Sequence, residues 1–375
     1  MIPFNKPFLV GKETSFIEEA VKSGKISGNG DFTKKCHDFF ESNYGFKKAL
    51  LTTSCTDALE MAAMLINISP GDEVIVPSYT FVSSALAFTR QGAKIVFADS
   101  RKDHPGIDEE SIVKHITPKT KAIVVVHYAG VACDMDIIMD VANKNNIYVI
   151  EDAAQAIDSY YKGKPLGSIG HFGAFSFHET KNIISGEGGL LTINDEQFID
   201  RSEILWEKGT NRSAFFKGEV DKYGWVDTGS SFLPSELIAA FLFAQLKHLK
   251  TIQDKRKNIC KTYFNGLVDL QEEGKLQLGN LPDFATNNAH MFYIVTKNIA
   301  ERDALIKHLK SKNIHAVFHY LSLHKSPYHL KSLSGEEQSL PEADRYTNCL
   351  IRLPLYYNLK IEEVEKIIET VKSFY

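Results

Sequence analysis

The chain is poor in everything that would make it a disulfide-stapled, membrane-spanning or nucleic-acid-coating protein. It has 5 cysteines in 375 residues, Cys36, Cys55, Cys133, Cys260 and Cys349. They are odd in number, far apart and never in a CxxC spacing, which argues against a disulfide framework and against a structural zinc site. Reduced thiols and no metal are expected. Apolar runs fall well short of the ~20 residues that a spanning helix needs. The opening Met1-Ile-Pro-Phe-Asn-Lys-Pro7 has no basic stretch followed by an apolar core. A cytoplasmic chain without membrane insertion is the expectation. Charge of one sign is scarce too: Lys+Arg 43 against Asp+Glu 47 leaves a net -4. No overall basic field would draw nucleic acid, although a local cationic pocket for a phosphorylated ligand stays open. Repeats, low-complexity tracts and a Walker loop are missing. Gly167, Gly170 and Gly173 have a GxxGxxG spacing, but they precede an apolar run instead of opening a helix. A dinucleotide fingerprint, and with it a nicotinamide enzyme, fails on that context.

What is present is an alternation. Short aliphatic runs at 48–51, 73–76, 94–97, 122–126, 147–150, 174–177 and 189–193 are separated by helical patterns. Runs of this kind suit strands buried on both faces, so the pattern predicts an α/β fold: a mostly parallel, seven-stranded sheet with helices on both faces. This large domain spans 1–245. A helix over 234–246, with Pro234 in its first turn, bridges to a smaller C-terminal α+β domain over 246–375. That domain has strand candidates at 291–295 and 316–318 and a final helix from Ile361. The Lys-, Ser- and Gly-rich stretch 325–338 reads as a mobile loop.

In parallel sheets of this type ligands sit beyond the carboxyl ends of the strands. Thr52-Thr-Ser-Cys-Thr56, Pro77-Ser-Tyr-Thr-Phe81, Asp152 and Lys181 all fall there. Lys181 ends the segment Gly173-Ala-Phe-Ser-Phe-His-Glu-Thr-Lys181 and is followed by Gly186-Glu-Gly-Gly189. An amine so placed can condense with a coenzyme aldehyde and, once displaced, carry a proton. A buried carboxylate, here Asp152, favours the protonated pyridine nitrogen that makes such a coenzyme an electron sink. Alone, a lysine after a strand is ordinarily a solvated loop residue and an aspartate there a helix cap. Together with the hydroxyl-rich start of a helix at 52–56, where free N–H groups favour a phosphate, they point to pyridoxal 5'-phosphate. Ser176 reads as a second phosphate hydroxyl or as a strand serine bonded to backbone. Phe81 reads equally as a ring stacked on the coenzyme or a core phenylalanine. His127 suits a structural role as well as a catalytic one and is not counted as catalytic.

The blocks Pro77-Ser-Tyr-Thr-Phe81, Val126-His-Tyr-Ala-Gly130, Glu151-Asp-Ala-Ala-Gln-Ala156, 173–181 and 186–189 together resemble the DegT/DnrJ/EryC1/StrS family of sugar-nucleotide aminotransferases, over essentially the whole chain. The opening Met1-Ile-Pro-Phe-Asn5, Gly209-Thr-Asn-Arg-Ser213, Asn288-Ala-His-Met-Phe-Tyr293, Val317-Phe-His-Tyr320 and Arg352-Leu-Pro-Leu-Tyr-Tyr-Asn358 are similar to the members that aminate C4 of a dTDP-linked sugar for enterobacterial common antigen, lipopolysaccharide O-antigen and related surface sugars. The resemblance implies a fold-type I, aspartate-aminotransferase-like homodimer with shared active sites. It makes Lys181 the covalent lysine, Asp152 the partner of the ring nitrogen, Gln155 a contact near the ring hydroxyl and Phe81 the stacking ring. Cys55, Thr56 and Ser176 become phosphate contacts. Many members carry Gly-x-Asn-x-Arg and send the Asn across the interface to the phosphate; this chain has Gly229-Ser-Ser231-Phe-Leu233, which leaves that contact to the shorter Ser231. The implied reaction transfers the amino group of L-glutamate to the 4-keto carbon of dTDP-4-dehydro-6-deoxyglucose. Amination at C3, a GDP-keto-sugar substrate, and a non-catalytic coenzyme-binding regulator stay open as alternatives. Asn29, Lys208 and Arg212 are candidates for holding the sugar diphosphate, arginine because its planar fork matches phosphate oxygens.

Overall fold

A computed structural model of the chain describes residues 1–332 and 338–375. Seven strands, β1 (Lys48–Thr52), β2 (Glu73–Pro77), β3 (Lys94–Ala98), β4 (Thr120–Val126), β5 (Tyr148–Asp152), β6 (Phe172–Ser176) and β7 (Gly189–Ile193), form one sheet in the order β1-β7-β6-β5-β4-β2-β3. All neighbours are parallel except β7, which runs against both β1 and β6. Chain length explains the exception. Residues 177–188 between β6 and β7 form no helix, so the chain can only fold back, whereas β1 and β2 are joined through the helix Cys55–Leu65.

Side-chain alternation splits each strand between two cores. In β4, Val124 and Val126 join one cluster with Leu59 and Ala62 of the helix Cys55–Leu65, while Ile123 and Val125 join another with Phe40 and Ile138. Helices therefore cover both faces, and the fold class expected from the aliphatic runs is the one found.

A second, antiparallel sheet has three strands, Gln277–Leu278, Phe292–Val295 and Leu350–Leu353. Ile294 and Ile351 pack with Ile259 and Tyr263 of the helix Leu249–Glu272 and with Val364 and Ile367 of the helix Ile361–Lys372. Met291, Tyr293 and Val295 join the first core instead, so this sheet is keyed to the large one. Ile2 pairs with Ile314 and ties the N-terminal segment to the small sheet.

Three local expectations change. Residues 316–318 form no strand: Val317 makes one bridge to Arg352, then the chain leaves the small sheet and carries His319 and Tyr320 to the cavity that Lys181 also lines. Pro234 precedes the N-cap Ser235 of the helix Glu236–Leu246 and lies outside its first turn. The stretch read as a mobile loop contains the end of a turn at Leu323–Lys325 and the helix Pro327–Ser332, while 333–337 fall outside the described residues. His324 anchors that turn, its Nδ1 lying 2.7 Å from Ser78 Oγ just past β2.

Candidate active site

The carboxyl end of β5 separates two carboxylates by alternation alone. Glu151 turns to one face, where it is 0% exposed and accepts N–H bonds from Gly167, Ile169 and Gly170 at 2.8, 2.7 and 2.7 Å. His127 Nε2 lies 2.9 Å from the same carboxylate. That histidine is held in structure, on the far side from the chemistry. Asp152 turns to the other face. Its Oδ2 accepts from Ser84 Oγ at 2.7 Å and its Oδ1 from the Ala154 N–H at 3.1 Å. Burial pushes the Asp152 carboxyl above its ordinary range, against the opposing pull of those hydrogen bonds and of Lys181.

Lys181 rides on the fold-back between β6 and β7. The loop is tied by Phe177 N to Gly188 O at 2.9 Å, Ser185 N to Phe177 O at 2.7 Å and Lys181 N to His178 O at 2.9 Å. The next residue locks it to the rest of the molecule: Asn182 Nδ2 donates to Gln253 Oε1 and to Asn288 O, both at 2.8 Å. Lys181 is half-buried, and loss of solvation pulls its amine down to about 8. Arg352 acts in the same direction, while Cys55 and Asp152 act against it.

The start of the helix Cys55–Leu65 lies against the Lys181 loop only because a side chain is missing. Ser54 caps the helix Cys55–Leu65 by accepting from Asp57 N at 3.1 Å. A Cβ on Gly189, the first residue of β7, would overlap the Ser54 carbonyl and sit 2.5 Å from Cys55 N. Only glycine lets the helix start approach this closely, next to the loop of Lys181. Thr56 Oγ1 and Ser83 Oγ are 2.7 Å apart. Burial keeps the Cys55 thiol neutral by pushing it up.

These elements enclose a cavity of about 450 Å³ lined by Cys55, Thr56, Phe81, Asp152, Gln155, Ser176 and Lys181. Phe81 is 55% exposed, so it is a wall of the cavity and not a core ring. Gln155 Oε1 accepts from the Ala129 N–H at 2.6 Å, which fixes its amide. A larger cavity, about 840 Å³, lies beside the helix Leu249–Glu272 and contains neither Lys181 nor Asp152. The small sheet and the segments beside it add His290, His319, Tyr320 and Arg352 to the smaller cavity, and the N-terminus adds Phe4. None of these five was singled out from sequence as a site residue. All five lie in blocks that carried the resemblance to C4-aminating members, which was the only signal available.

Four candidates lie outside the cavity lining. Ser231 is exposed and bridges to Glu207. Asn29 Nδ2 donates to Glu207 Oε1 at 2.8 Å, and Arg212 Nε is 3.9 Å from Glu207 Oε2. Lys208, beside them, is bonded through its N–H to Ser230 O at 3.0 Å. They gather around one buried glutamate, apart from Lys181.

A lysine of low basicity, a buried carboxylate on the same cavity and a helix start opened by Gly189 fit pyridoxal 5'-phosphate. The model of the DegT/DnrJ/EryC1/StrS aminotransferase family matches residues 9–372. The chain belongs to this family. As a member it is a pyridoxal-phosphate-dependent sugar aminotransferase, which sets aside a non-catalytic regulator. It is similar to the spore coat polysaccharide biosynthesis protein SpsC of Bacillus subtilis, 33% identical over 383 residues and covering 99% of this chain and 96% of that one. GDP-perosamine synthase of Escherichia coli O157:H7 is 32% identical over 381 residues, covering 100% and 98%. Among solved structures, the sugar aminotransferase Spr1654 of Streptococcus pneumoniae in its PMP form superposes with a TM-score of 0.92 at 28% identity, covering 100% of this chain and 99% of that one. DesV of S. venezuelae gives 0.90 at 29%, covering 100% and 98%.

Proposed function

We propose that this aminotransferase moves the amino group of L-glutamate to the 4-keto carbon of dTDP-4-dehydro-6-deoxyglucose, giving dTDP-4-amino-4,6-dideoxygalactose and 2-oxoglutarate in the cytoplasm. The observation that supports this reading is the position of His290, His319, Tyr320 and Arg352, from the blocks similar to C4-aminating members, on the same cavity as Lys181. In this reading the large domain, 1–245, carries the coenzyme and the small domain, 246–375, supplies much of the substrate wall.

Bound pyridoxal 5'-phosphate supplies an aldehyde that captures amines and a ring that accepts the electrons of a broken C–H bond. The chain's residues do the rest. The helix start at Ser54–Thr56 and the Ser176 hydroxyl would hold the phosphate. Asp152, desolvated and aimed by Ser84 and Ala154 N, favours a proton on any base set against it. Phe81 and Gln155, both on the cavity wall, would hold the ring, Phe81 by stacking and Gln155 near its hydroxyl. Lys181, neutral in a fair fraction of molecules because its amine sits near 8, would move a proton from the donor's α-carbon to the coenzyme in the first half-reaction and from the coenzyme to the sugar carbon in the second.

Measuring glutamate-dependent conversion across dTDP- and GDP-linked keto sugars, with product configuration read by NMR, tests the assignment. Preference for a 3-keto sugar or for glucose-configured product overturns it. The similarity to GDP-perosamine synthase favours one second reading, a GDP-linked keto sugar.

The active unit in this proposal is a homodimer. The exposed run next to Ser231, with Trp225 83% exposed and Phe216 and Tyr223 also exposed, suits burial against a second copy. Ser231 then reaches the partner's phosphate site, and Asn29, Lys208 and Arg212 lie near the path of the sugar diphosphate. Mixing Lys181→Ala with a variant deleted in side chains over 229–233 regains activity in heterodimers if that segment works in trans. No recovery after demonstrated subunit exchange rejects shared sites.

A further inference from the structure

The larger cavity, about 840 Å³, takes no part in the chemistry at Lys181 and yet shares a wall with it. Ala129 lines it, and the Ala129 N–H holds Gln155 Oε1 at 2.6 Å. Ala289 lines it too, one residue before His290, while Gln155 and His290 themselves face the cavity of Lys181. Asp103 and Ala129 follow β3 and β4 of the large sheet, and Gln277 belongs to the small sheet. Lys257, Lys261 and Phe264 come from the helix Leu249–Glu272, where steps of four and three residues set them in one row.

The hydrogen-bonding character of this lining is one-sided. Gln271 Oε1 accepts from Leu278 N at 2.7 Å, Gln277 Oε1 from Arg345 Nη1 at 3.2 Å and Asn287 Oδ1 from Ala289 N at 2.6 Å. A backbone N–H or a guanidinium can only donate, so each bond fixes which end of the amide is oxygen. The three NH2 groups are what remains, and among the described residues none has a protein acceptor. Lys261 adds an ammonium without an ion pair among those residues, and the Lys257 ammonium lies 3.4 Å from Asp158. Asp103, the only carboxylate among the described lining residues, is already matched. Arg101 Nε and Nη2 lie 3.0 and 3.3 Å from its two oxygens, and Asn280 Nδ2 donates to it at 3.0 Å. Beside these donors stand apolar side chains that the fold leaves wet: Phe264 is 44% exposed and Leu281 45%.

We propose that this cavity is a second ligand site, for a nucleoside diphosphate whose phosphate oxygens meet Lys261 and the NH2 groups of Gln271, Gln277 and Asn287. Its base lies against Phe264 and Leu281. The occupant is an anion rich in acceptors because the lining donates and carries positive charge. It has an apolar plane because inorganic phosphate would leave Phe264 and Leu281 in water, whereas an uncharged nucleoside would leave the ammonium without a counter-charge. The volume falls within the range of organic-ligand pockets and is nearly twice the 450 Å³ of the Lys181 cavity, which leaves room for both halves.

Calorimetric titration of the coenzyme-loaded protein with dTDP, beside thymidine and inorganic pyrophosphate, tests the site. Two substitutions leave the internal bonds in place. Gln271→Glu keeps an oxygen for Leu278 N and replaces only the NH2 group; Lys261→Met keeps the stem without the charge. The expected result is a dTDP-binding event that each substitution weakens about 10-fold or more, while the KM for the keto sugar changes by less than about twofold. Pyrophosphate and thymidine both bind there more weakly than dTDP. Hydrogen exchange at the Ala129 and Ala289 amides slows on dTDP addition in the parent protein and less in Gln271→Glu. Binding of dTDP untouched by both substitutions overturns the proposal, and so does pyrophosphate or thymidine binding as tightly as dTDP. A loss of dTDP affinity matched by an equal rise in KM places the only nucleotide site at the Lys181 cavity and also overturns it. Binding and exchange are read without turnover, so failure of the sugar assignment is a separate result.

Discussion

Raising the pH of the coenzyme-free protein should switch on covalent capture at Lys181 well before ordinary lysines react. Its amine sits at about 8, because the surrounding protein strips its water and Arg352 repels its proton. At pH 7.5 a value of 8 leaves about 24% of the side chain neutral, whereas the usual ~10.4 leaves about 0.1%, a ratio of roughly 200 in reactive amine. Incubation with pyridoxal 5'-phosphate from pH 6 to 11, borohydride quenching and peptide mapping give the labelled fraction at each lysine. The Lys181 peptide should reach half its plateau near pH 8. Lys250, whose pairing with Asp254 raises its amine, is the internal control and should lag by more than two pH units. Substitution of the neighbours moves the midpoint in opposite directions. Asp152→Asn removes an anion that favours the ammonium form and lowers it; Arg352→Gln removes a cation that opposes it and raises it. A Lys181 midpoint at or above pH 10, or both variants shifting the same way, would refute the electrostatic account of the site.

Gly189→Ala should cost about 1–3 kcal/mol by overpacking against Ser54 and Cys55 N, and should weaken coenzyme binding beyond its effect on stability; urea melts and coenzyme titration measure both, and wild-type affinity would reject phosphate binding at that helix start. Glu151→Gln should lower stability by about 3–5 kcal/mol, since the amide offers N–H groups where the carboxylate accepts three from the 167–170 turn; a loss below about 1 kcal/mol would contradict that role. Lys181→Ala should still take up coenzyme through its phosphate and ring contacts but lose the borohydride-fixable adduct and at least about three orders of magnitude in rate, and full activity would sink the mechanism.

Much of the site was legible in the sequence because it is made by local geometry. A strand that ends in Glu151-Asp152 must send two carboxylates to opposite faces. Seven aliphatic runs imply a buried sheet, since only both-face burial removes the need for alternation. Strand order and the loss of the expected strand at 316–318 depend instead on which segments meet across the molecule. The same holds for Phe4, His290, His319, Tyr320 and Arg352: each is far along the chain from Lys181, and no periodicity marks it. Periodicity records how a residue sits relative to its own strand or helix. Which donors converge on one cavity is decided only when the two sheets pack, because burial and pairing are properties of the assembled chain.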